Sequence, residues 1–172
     1  MAEQDEFVTT SAGAMNGADN APMANLISQY VKDLSFENPN APHVYQRETP
    51  PQIDVQFNIG TTTVGEGVHE VVLKIEARAE HDGQVAFLVD LTYAGLFQLR
   101  NLPEEHLQPF LLGEAPRIIF PFARRVLADA VRDGGFAPLL LDPIDFNSMY
   151  QQQLEQHQAA QAGAGDTPVG HA

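Results

Sequence analysis

The sequence contains no cysteine. Disulfide bonds, thiolate nucleophiles and cysteine-liganded zinc are therefore excluded, and the absence fits a reducing compartment. The N-terminal residues also lack the basic stretch and the apolar core of a secretory signal. No apolar run approaches the roughly 20 residues that span a bilayer. We therefore expect a cytoplasmic protein without direct membrane insertion.

Basic residues are scarce. The 172 residues include 9 Lys and Arg against 23 Asp and Glu, which gives a net charge of -14. Such a field repels the phosphates of nucleic acids and anionic membrane surfaces, and it favours basic partners. We therefore predict no nucleic-acid binding.

Catalytic and metal-binding motifs are missing as well. Neither G-x-S-x-G nor the phosphate-binding G-x-x-x-x-G-K-[ST] occurs. A string that opens with His69 and Glu70 has Leu73 where a zinc protease needs its second histidine. The six histidines are scattered without ligand spacing. We predict no enzyme activity, no metal and no cofactor. An enzyme that turns over a small molecule stays a minor alternative.

Alternating apolar and polar residues predict strands in the first half. The segments IDVQFNI (53–59), HEVVLKIEARA (69–79) and VAFLVDLTY (85–93) each place apolar side chains on one face. Asp82 and Gly83, between the last two segments, predict a tight hairpin turn. Hairpin connections imply an antiparallel sheet with one face free to contact water.

A fourth, weaker strand is predicted in SQYVKDLSFE (28–37). Strict alternation assigns one face to Tyr30, Leu34 and Phe36. It assigns the opposite face to Val31, Asp33, Ser35 and Glu37.

The second half changes to a helical period over RIIFPFARRVLADAVRDGG (117–135), which Gly134 and Gly135 end. Pro121 predicts a kink or a helix start near it. Asp142 as N-cap and Pro143 as first residue predict a last helix. The fold class is therefore α+β: a four-stranded antiparallel sheet followed by a long helix and a C-terminal helix.

Apolar residues cover two sides of the long helix, more than one sheet requires. One line runs through Ile118, Ile119, Phe122, Val126 and Ala130, and a second through Ala123, Leu127 and Val131. This pattern favours a partner subunit, although a core helix with a wide apolar stripe would show the same pattern.

Three regions are predicted along the chain. Residues 1–24 are small, polar and acidic, and residues 154–172 fade into Gln, Ala and Gly. We predict both as disordered tails, with a helical start to the second left open. Residues 25–153 form the folded domain.

Several long strings resemble SecB, the bacterial protein-export chaperone family. They are KDLSFENPNAPHVYQ (32–46), HEVVLKI (69–75), AFLVDLTYAGLF (86–97) and the segment PRIIFPFARR to DFNSMY (116–150). The match covers roughly residues 28–153. It implies an ATP-independent chaperone that holds unfolded secretory precursors and passes them to the translocation ATPase SecA. It also implies a homotetramer, assembled as a dimer of dimers.

The resemblance assigns roles to residues of this chain. The SecA-docking positions are Asp33, Glu37, Leu88 and Asp90. The client groove is lined by Val44 and Tyr45 on one wall, and by Ile144, Phe146, Met149 and Tyr150 on the other. The subunit interface includes Val89, Leu91, Ile118, Ile119, Phe122 and Val126. Prolines 39 and 42 stiffen the first wall, whereas Thr49 stands where the family often has Trp, which thins the aromatic lining.

A specialised SecB-like chaperone dedicated to one client, such as an antitoxin, is the nearest alternative. The full set of acidic docking positions favours the general export role, because a dedicated chaperone has no need of that set.

Overall fold

The structure is a computed structural model that describes residues 20–163. Its strands are β1 (Met23–Glu37), β2 (Gln52–Gly65), β3 (Val68–His81) and β4 (Gln84–Arg100). The helices are α1 (Glu104–Pro109), α2 (Ala115–Asp133) and α3 (Phe146–Gly163), with a π-helical turn (Phe110–Glu114) between the first two. The predicted α+β class is confirmed.

The four strands form one antiparallel sheet in the order β1-β4-β3-β2. The predicted apolar face is confirmed: Leu73, Ile75 and Leu91 are buried under α2. The predicted hairpin is also confirmed, since Asp82 and Gly83 adopt φ of 48° and 77° between β3 and β4. Two positive φ values are typical of the turns that suit the twist of paired strands.

The predicted alternation of β1 is wrong at its centre. The pairing with β4 shifts between Val31 and Asp33, so Lys32 is an extra residue, a β-bulge. Val31 therefore lies opposite buried Tyr93, and Tyr30 points to the other side of the sheet. From Asp33 onward the predicted faces hold, because no further shift occurs.

Helix α2 covers one face of the sheet. Its buried residues include Ile119, Ala123, Leu127 and Val131. A Cβ at Gly95 of β4 would lie 2.8 Å from Cγ2 of Ile119, so glycine lets the helix approach the strand closely.

The long helix does not start at Pro121. Helical backbone begins at Glu104, and Pro121 lies inside α2 at an exposed position. Proline removes the N–H that would bond to the carbonyl of Arg117. Arg117 is also exposed, so water can serve that carbonyl. Gly134 and Gly135 end the helix as predicted, the second with φ of 86°.

The last helix starts three residues later than predicted. Asp145, not Asp142, is its N-cap: the Ser148 backbone N–H donates to Oδ1 of Asp145 at 3.0 Å. Phe146 then packs on Phe120 with ring centroids 5.4 Å apart, which fixes the first turn against α2.

Both predicted tail boundaries move outward. The first strand already begins at Met23, and α3 continues to Gly163. Residues 1–19 and 164–172 of the predicted tails lie outside the described residues. Over residues 20–163, none of the helices combines the length and the apolar character needed to cross a bilayer.

Candidate functional site

The outer face of the sheet is the face opposite α2. It brings together the four predicted docking residues, Asp33, Glu37, Leu88 and Asp90. Because β1 is paired with β4, Glu37 lies directly opposite Leu88. Asp90 lies opposite Ser35, and Asp33 opposite Thr92. Directly opposed residues share a face, so the strand order places the whole set on one surface.

A shallow cavity of about 390 Å³ opens on this outer face. Its charged lining comprises Glu37, Asp54, Glu76, Asp90 and Arg78, with Leu88 as an apolar wall. Four carboxylates against one guanidinium make it an anionic depression. Sequence reasoning missed Asp54 and Glu76, although both are polar positions of the predicted alternation. Only the strand order places them beside the other carboxylates.

Lys74 lies at the border of this cavity and pairs with two of its carboxylates. Its Nζ is 2.5 Å from Oε1 of Glu76 and 3.2 Å from Oδ2 of Asp90. Both bonds raise the pKa of Lys74, and the bond to Glu76 contributes more than the bond to Asp90. Oδ1 of Asp90 is buried and accepts no hydrogen bond from residues 20–163.

A second polar group on the outer face joins β1 to β3 across β4. The hydroxyl of Tyr30 donates to Oε1 of Glu70 at 2.5 Å, and Nζ of Lys32 lies 2.9 Å from Oε2. Both bonds lower the pKa of Glu70, and the bond from Tyr30 contributes more than the bond from Lys32. The bulge makes this possible because it turns Tyr30 outward.

The crossover between β1 and β2 (residues 38–51) is held at α2 by Tyr45. The hydroxyl of Tyr45 donates to the carbonyl oxygen of Gly134 at 2.7 Å and accepts from Nδ2 of Asn38 at 2.6 Å. Its ring lies 5.5 Å from that of Phe136, centroid to centroid, yet the residue remains 49% exposed. Tyr45 is thus both a surface aromatic and an anchor.

The same crossover is held at the β3–β4 hairpin. Nδ2 of Asn40 donates to the carbonyl oxygen of Val85 at 2.8 Å, and Nη2 of Arg47 donates to Oε1 of Gln84 at 3.0 Å. Val44, between them, is only 8% exposed and belongs to the core. The structure therefore leaves Tyr45, and not Val44, as the exposed apolar residue of this predicted groove wall.

The second predicted wall is also partly internal. Phe146 is buried against Phe120, whereas Ile144, Met149 and Tyr150 are half-buried. Met149 and Tyr150 line a cavity of about 90 Å³ beside β2. Tyr45 instead contacts Gly134 at the C-terminal end of α2, whereas Phe146 packs on Phe120 nearer its start.

The loop between α2 and α3 carries an exposed apolar residue that the prediction missed. Nη1 of Arg124 donates to the carbonyl oxygen of Leu141 at 3.0 Å and pins the loop along α2. Leu140, next to it, is 76% exposed. A run of three leucines in the sequence does not indicate which of them points outward.

Thr49 stands in a cavity of about 330 Å³ at the end of the crossover. Its lining comprises Thr49, Pro50, Gln52, Glu80, His81, Asp82 and Gly83, with no Phe or Tyr. The thinner aromatic lining of the client groove stays a prediction.

Three of the six predicted interface residues lie inside the single chain. Val89, Leu91 and Ile119 are between 0% and 2% exposed, in the core between the sheet and α2. Ile118 and Val126 are half-buried, and Phe122 is 43% exposed on the other side of the helix. The interface hypothesis therefore rests on the last three residues alone.

Comparisons with known proteins agree on one family. The family described as "SecB: Preprotein translocase subunit SecB" matches residues 17–157. A protein-export protein SecB of Sphingopyxis alaskensis is 59% identical over 157 residues, which cover 91% of each chain. Another, of Erythrobacter litoralis, is 53% identical over an alignment of 178 positions covering both chains completely.

A SecB-like fold is also found among solved structures. One example is a SecB-like chaperone of Mycobacterium tuberculosis in complex with a peptide from the HigA1 antitoxin. The TM-score is 0.61 at 16% identity, over 70% of this chain and 90% of that chain. At that identity, the likeness concerns the fold alone.

Proposed function

The chain belongs to the SecB family of preprotein translocase subunits, and from that premise we propose that it is an ATP-independent holding chaperone for protein export. It keeps precursor proteins unfolded in the cytoplasm and delivers them to SecA. The single observation that carries this proposal is the family match over residues 17–157. Holding requires no covalent step, so the proposal needs neither a nucleophile nor a cofactor.

Client binding is proposed on the α2 side of the sheet. Tyr45, Met149, Tyr150 and Leu140 offer partly exposed apolar side chains there. They are spread over several elements, so each contact with an extended client is weak and the sum is multivalent. Several weak contacts of this kind suit clients that share no sequence motif.

Delivery is proposed on the outer face of the sheet. The anionic cavity with Glu37, Asp90 and Leu88 faces away from α2 and from the proposed client contacts. Exposed ion pairs are individually weak, but several together steer and hold a basic partner. A basic segment of SecA is the proposed occupant.

Assembly as a homotetramer, a dimer of dimers, is proposed through the second side of α2. Ile118, Phe122 and Val126 form an apolar line that the chain's own core covers only in part. Covering that line by further copies removes it from water.

The dedicated-chaperone alternative has one structural parallel, the mycobacterial protein solved with an antitoxin peptide. Its 16% identity to this chain contrasts with 59% for a relative named as a protein-export protein. We therefore prefer the export role.

The test measures refolding of a denatured secretory precursor with and without the full-length protein, in the absence of ATP. We expect the wild type to slow refolding, and the double variant Tyr45→Asp with Tyr150→Asp to slow it much less. Retention of full holding activity by the double variant would place client binding elsewhere, whereas no effect of the wild type would refute the holding function.

A further inference from the structure

The two lysines of the chain, Lys32 and Lys74, both lie on the outer face and offer a matched comparison. Their side chains are 42% and 41% exposed, and each pairs with a glutamate. They differ in what they neutralise. Lys32 pairs with Glu70, which does not line the anionic cavity, whereas Lys74 pairs with Glu76 and Asp90, which do.

Other cations of the described residues leave the cavity's carboxylates free. Arg78 lines the cavity but pairs with Glu80, which lies outside the lining. Within residues 20–163, Lys74 is thus the one cation whose ion pairs reach carboxylates of the lining. Lys74 therefore forms, within the chain, the ion pairs that a lysine or arginine of a partner would form with the same carboxylates.

Lys74 does not saturate these carboxylates. A carboxylate accepts up to about four hydrogen bonds, and Lys74 contacts only Oδ2 of Asp90. Oδ1 of Asp90 is buried and out of an incoming cation's reach, but Glu37 also lines the cavity and pairs with no cation of the described residues. An incoming cation therefore finds an open carboxylate at Glu37, but it also meets the charge of Lys74, which is close to Glu76 and Asp90.

We propose that Lys74 is an internal counter-ion that attenuates docking of a basic peptide segment on the outer face, and so sets how much positive charge a partner must carry. The proposal rests on the docking function proposed above and adds a specificity-determining residue to it. The partner is defined by its chemistry: an extended segment rich in lysine or arginine.

A positioning role would have the opposite sign. If Lys74 mainly held Glu76 and Asp90 in a binding geometry, removing the ammonium group would weaken the partner's binding. As an attenuator, Lys74 competes with the partner, so its removal strengthens binding. The direction of the change therefore decides between the two roles.

The experiment compares Lys74→Gln with Lys32→Gln, because both remove one positive charge from the same face and change the net charge equally. The probes are full-length SecA and a labelled peptide of alternating lysine and serine, titrated at low and at physiological salt. We expect Lys74→Gln to tighten binding about three- to fivefold at low salt, as one or two exposed ion pairs would. Its salt dependence should also become steeper, whereas Lys32→Gln should change binding by less than about twofold.

Equal tightening by both variants would reduce the effect to net charge and overturn the proposal, as would weaker binding by Lys74→Gln. The wild type and the double variant Asp33→Lys with Glu37→Lys are titrated in parallel. Loss of binding in that double variant, with no effect of Lys74→Gln, would refute the role of Lys74 and leave the docking function standing. Absence of binding by the wild type and by Lys74→Gln would overturn both proposals. Thermal unfolding of each variant checks that the fold is retained.

Discussion

Tyr45 donates a 2.7 Å hydrogen bond to the carbonyl oxygen of Gly134, the residue at which α2 ends. The last carbonyls of a helix have no intrahelical donor, so a side chain from the crossover completes this helix end. The contact joins residues 89 positions apart, and it ties the proposed client surface to the core helix.

Replacing Tyr45 with Phe removes this bond and the one that the hydroxyl accepts from Asn38, and it keeps the ring on Phe136. We expect the free energy of unfolding to fall by about 2 kcal/mol, the net worth of two intramolecular hydrogen bonds. Holding of a denatured precursor should be retained, because the aromatic surface is unchanged. Urea unfolding at fixed protein concentration measures the first effect, and Tyr150→Phe serves as the hydroxyl-deletion control. Unchanged stability would mean that the crossover is held by its other contacts alone.

Reversing charge on the outer face should separate delivery from holding. In the double variant Asp33→Lys with Glu37→Lys, SecA binding should weaken by about tenfold or more, since several exposed pairs are lost or inverted together. The remaining binding should depend less on salt, and precursor binding should not change. The control, Glu66→Lys with Glu155→Lys, makes the same charge change at exposed positions off the cavity. An equal loss of SecA binding in both variants would reduce the effect to overall charge.

Charge on the uncovered side of α2 should disrupt assembly. We expect Phe122→Asp to shift the mass in dilute solution from four chains toward smaller species, because an unpaired buried charge costs several kcal/mol. Leu140→Asp introduces the same charge at a more exposed apolar residue outside α2 and should leave the mass unchanged. A wild type that is monomeric at micromolar concentration would contradict the tetramer outright.

Acid should weaken the link between β1 and β3. The pKa of Glu70 is lowered below its ordinary value of 4.5 by Tyr30 and Lys32, so the folded state favours the carboxylate. This contribution is fully present above the unfolded pKa and is lost as pH falls through the folded pKa. We expect Glu70→Gln to be less stable than the wild type at pH 7, with the difference shrinking below about pH 4.5. Glu66→Gln, at an exposed turn residue, is the control, and a pH-independent difference would contradict the assignment.

The sequence predicted β2, β3 and β4 well because their central alternation is uninterrupted. In β1 the prediction failed at Tyr30, since one extra residue reverses every face on one side of it. The one sign of that residue is Lys32, a charged side chain at a position that strict alternation assigns to the face of Tyr30, Leu34 and Phe36. The register with β4 is a tertiary property and had to be observed.

The other wrong predictions concern which surface buries an apolar side chain. A pattern of apolar residues indicates that a side chain leaves water but not which surface covers it. Leu91 and Phe122 therefore both looked like interface residues, although β4 and α2 bury the first within one chain. The start of α3 was ambiguous for a similar reason. Asp142 and Asp145 have equal N-cap preference, and the packing of Phe146 on Phe120 decides between them.

Because of the bulge at Lys32, the function of β1 depends more on the number of residues in this segment than on their types. Unbroken alternation would force Tyr30 and Asp33 onto opposite faces, and the extra residue lets one strand present both outward. Deleting any single residue from this short stretch would therefore place Tyr30, which bonds to Glu70, and the anionic cavity on opposite faces of the sheet. This would happen even if every remaining side chain were ideal. Across relatives, this segment should accept many substitutions but no change in length.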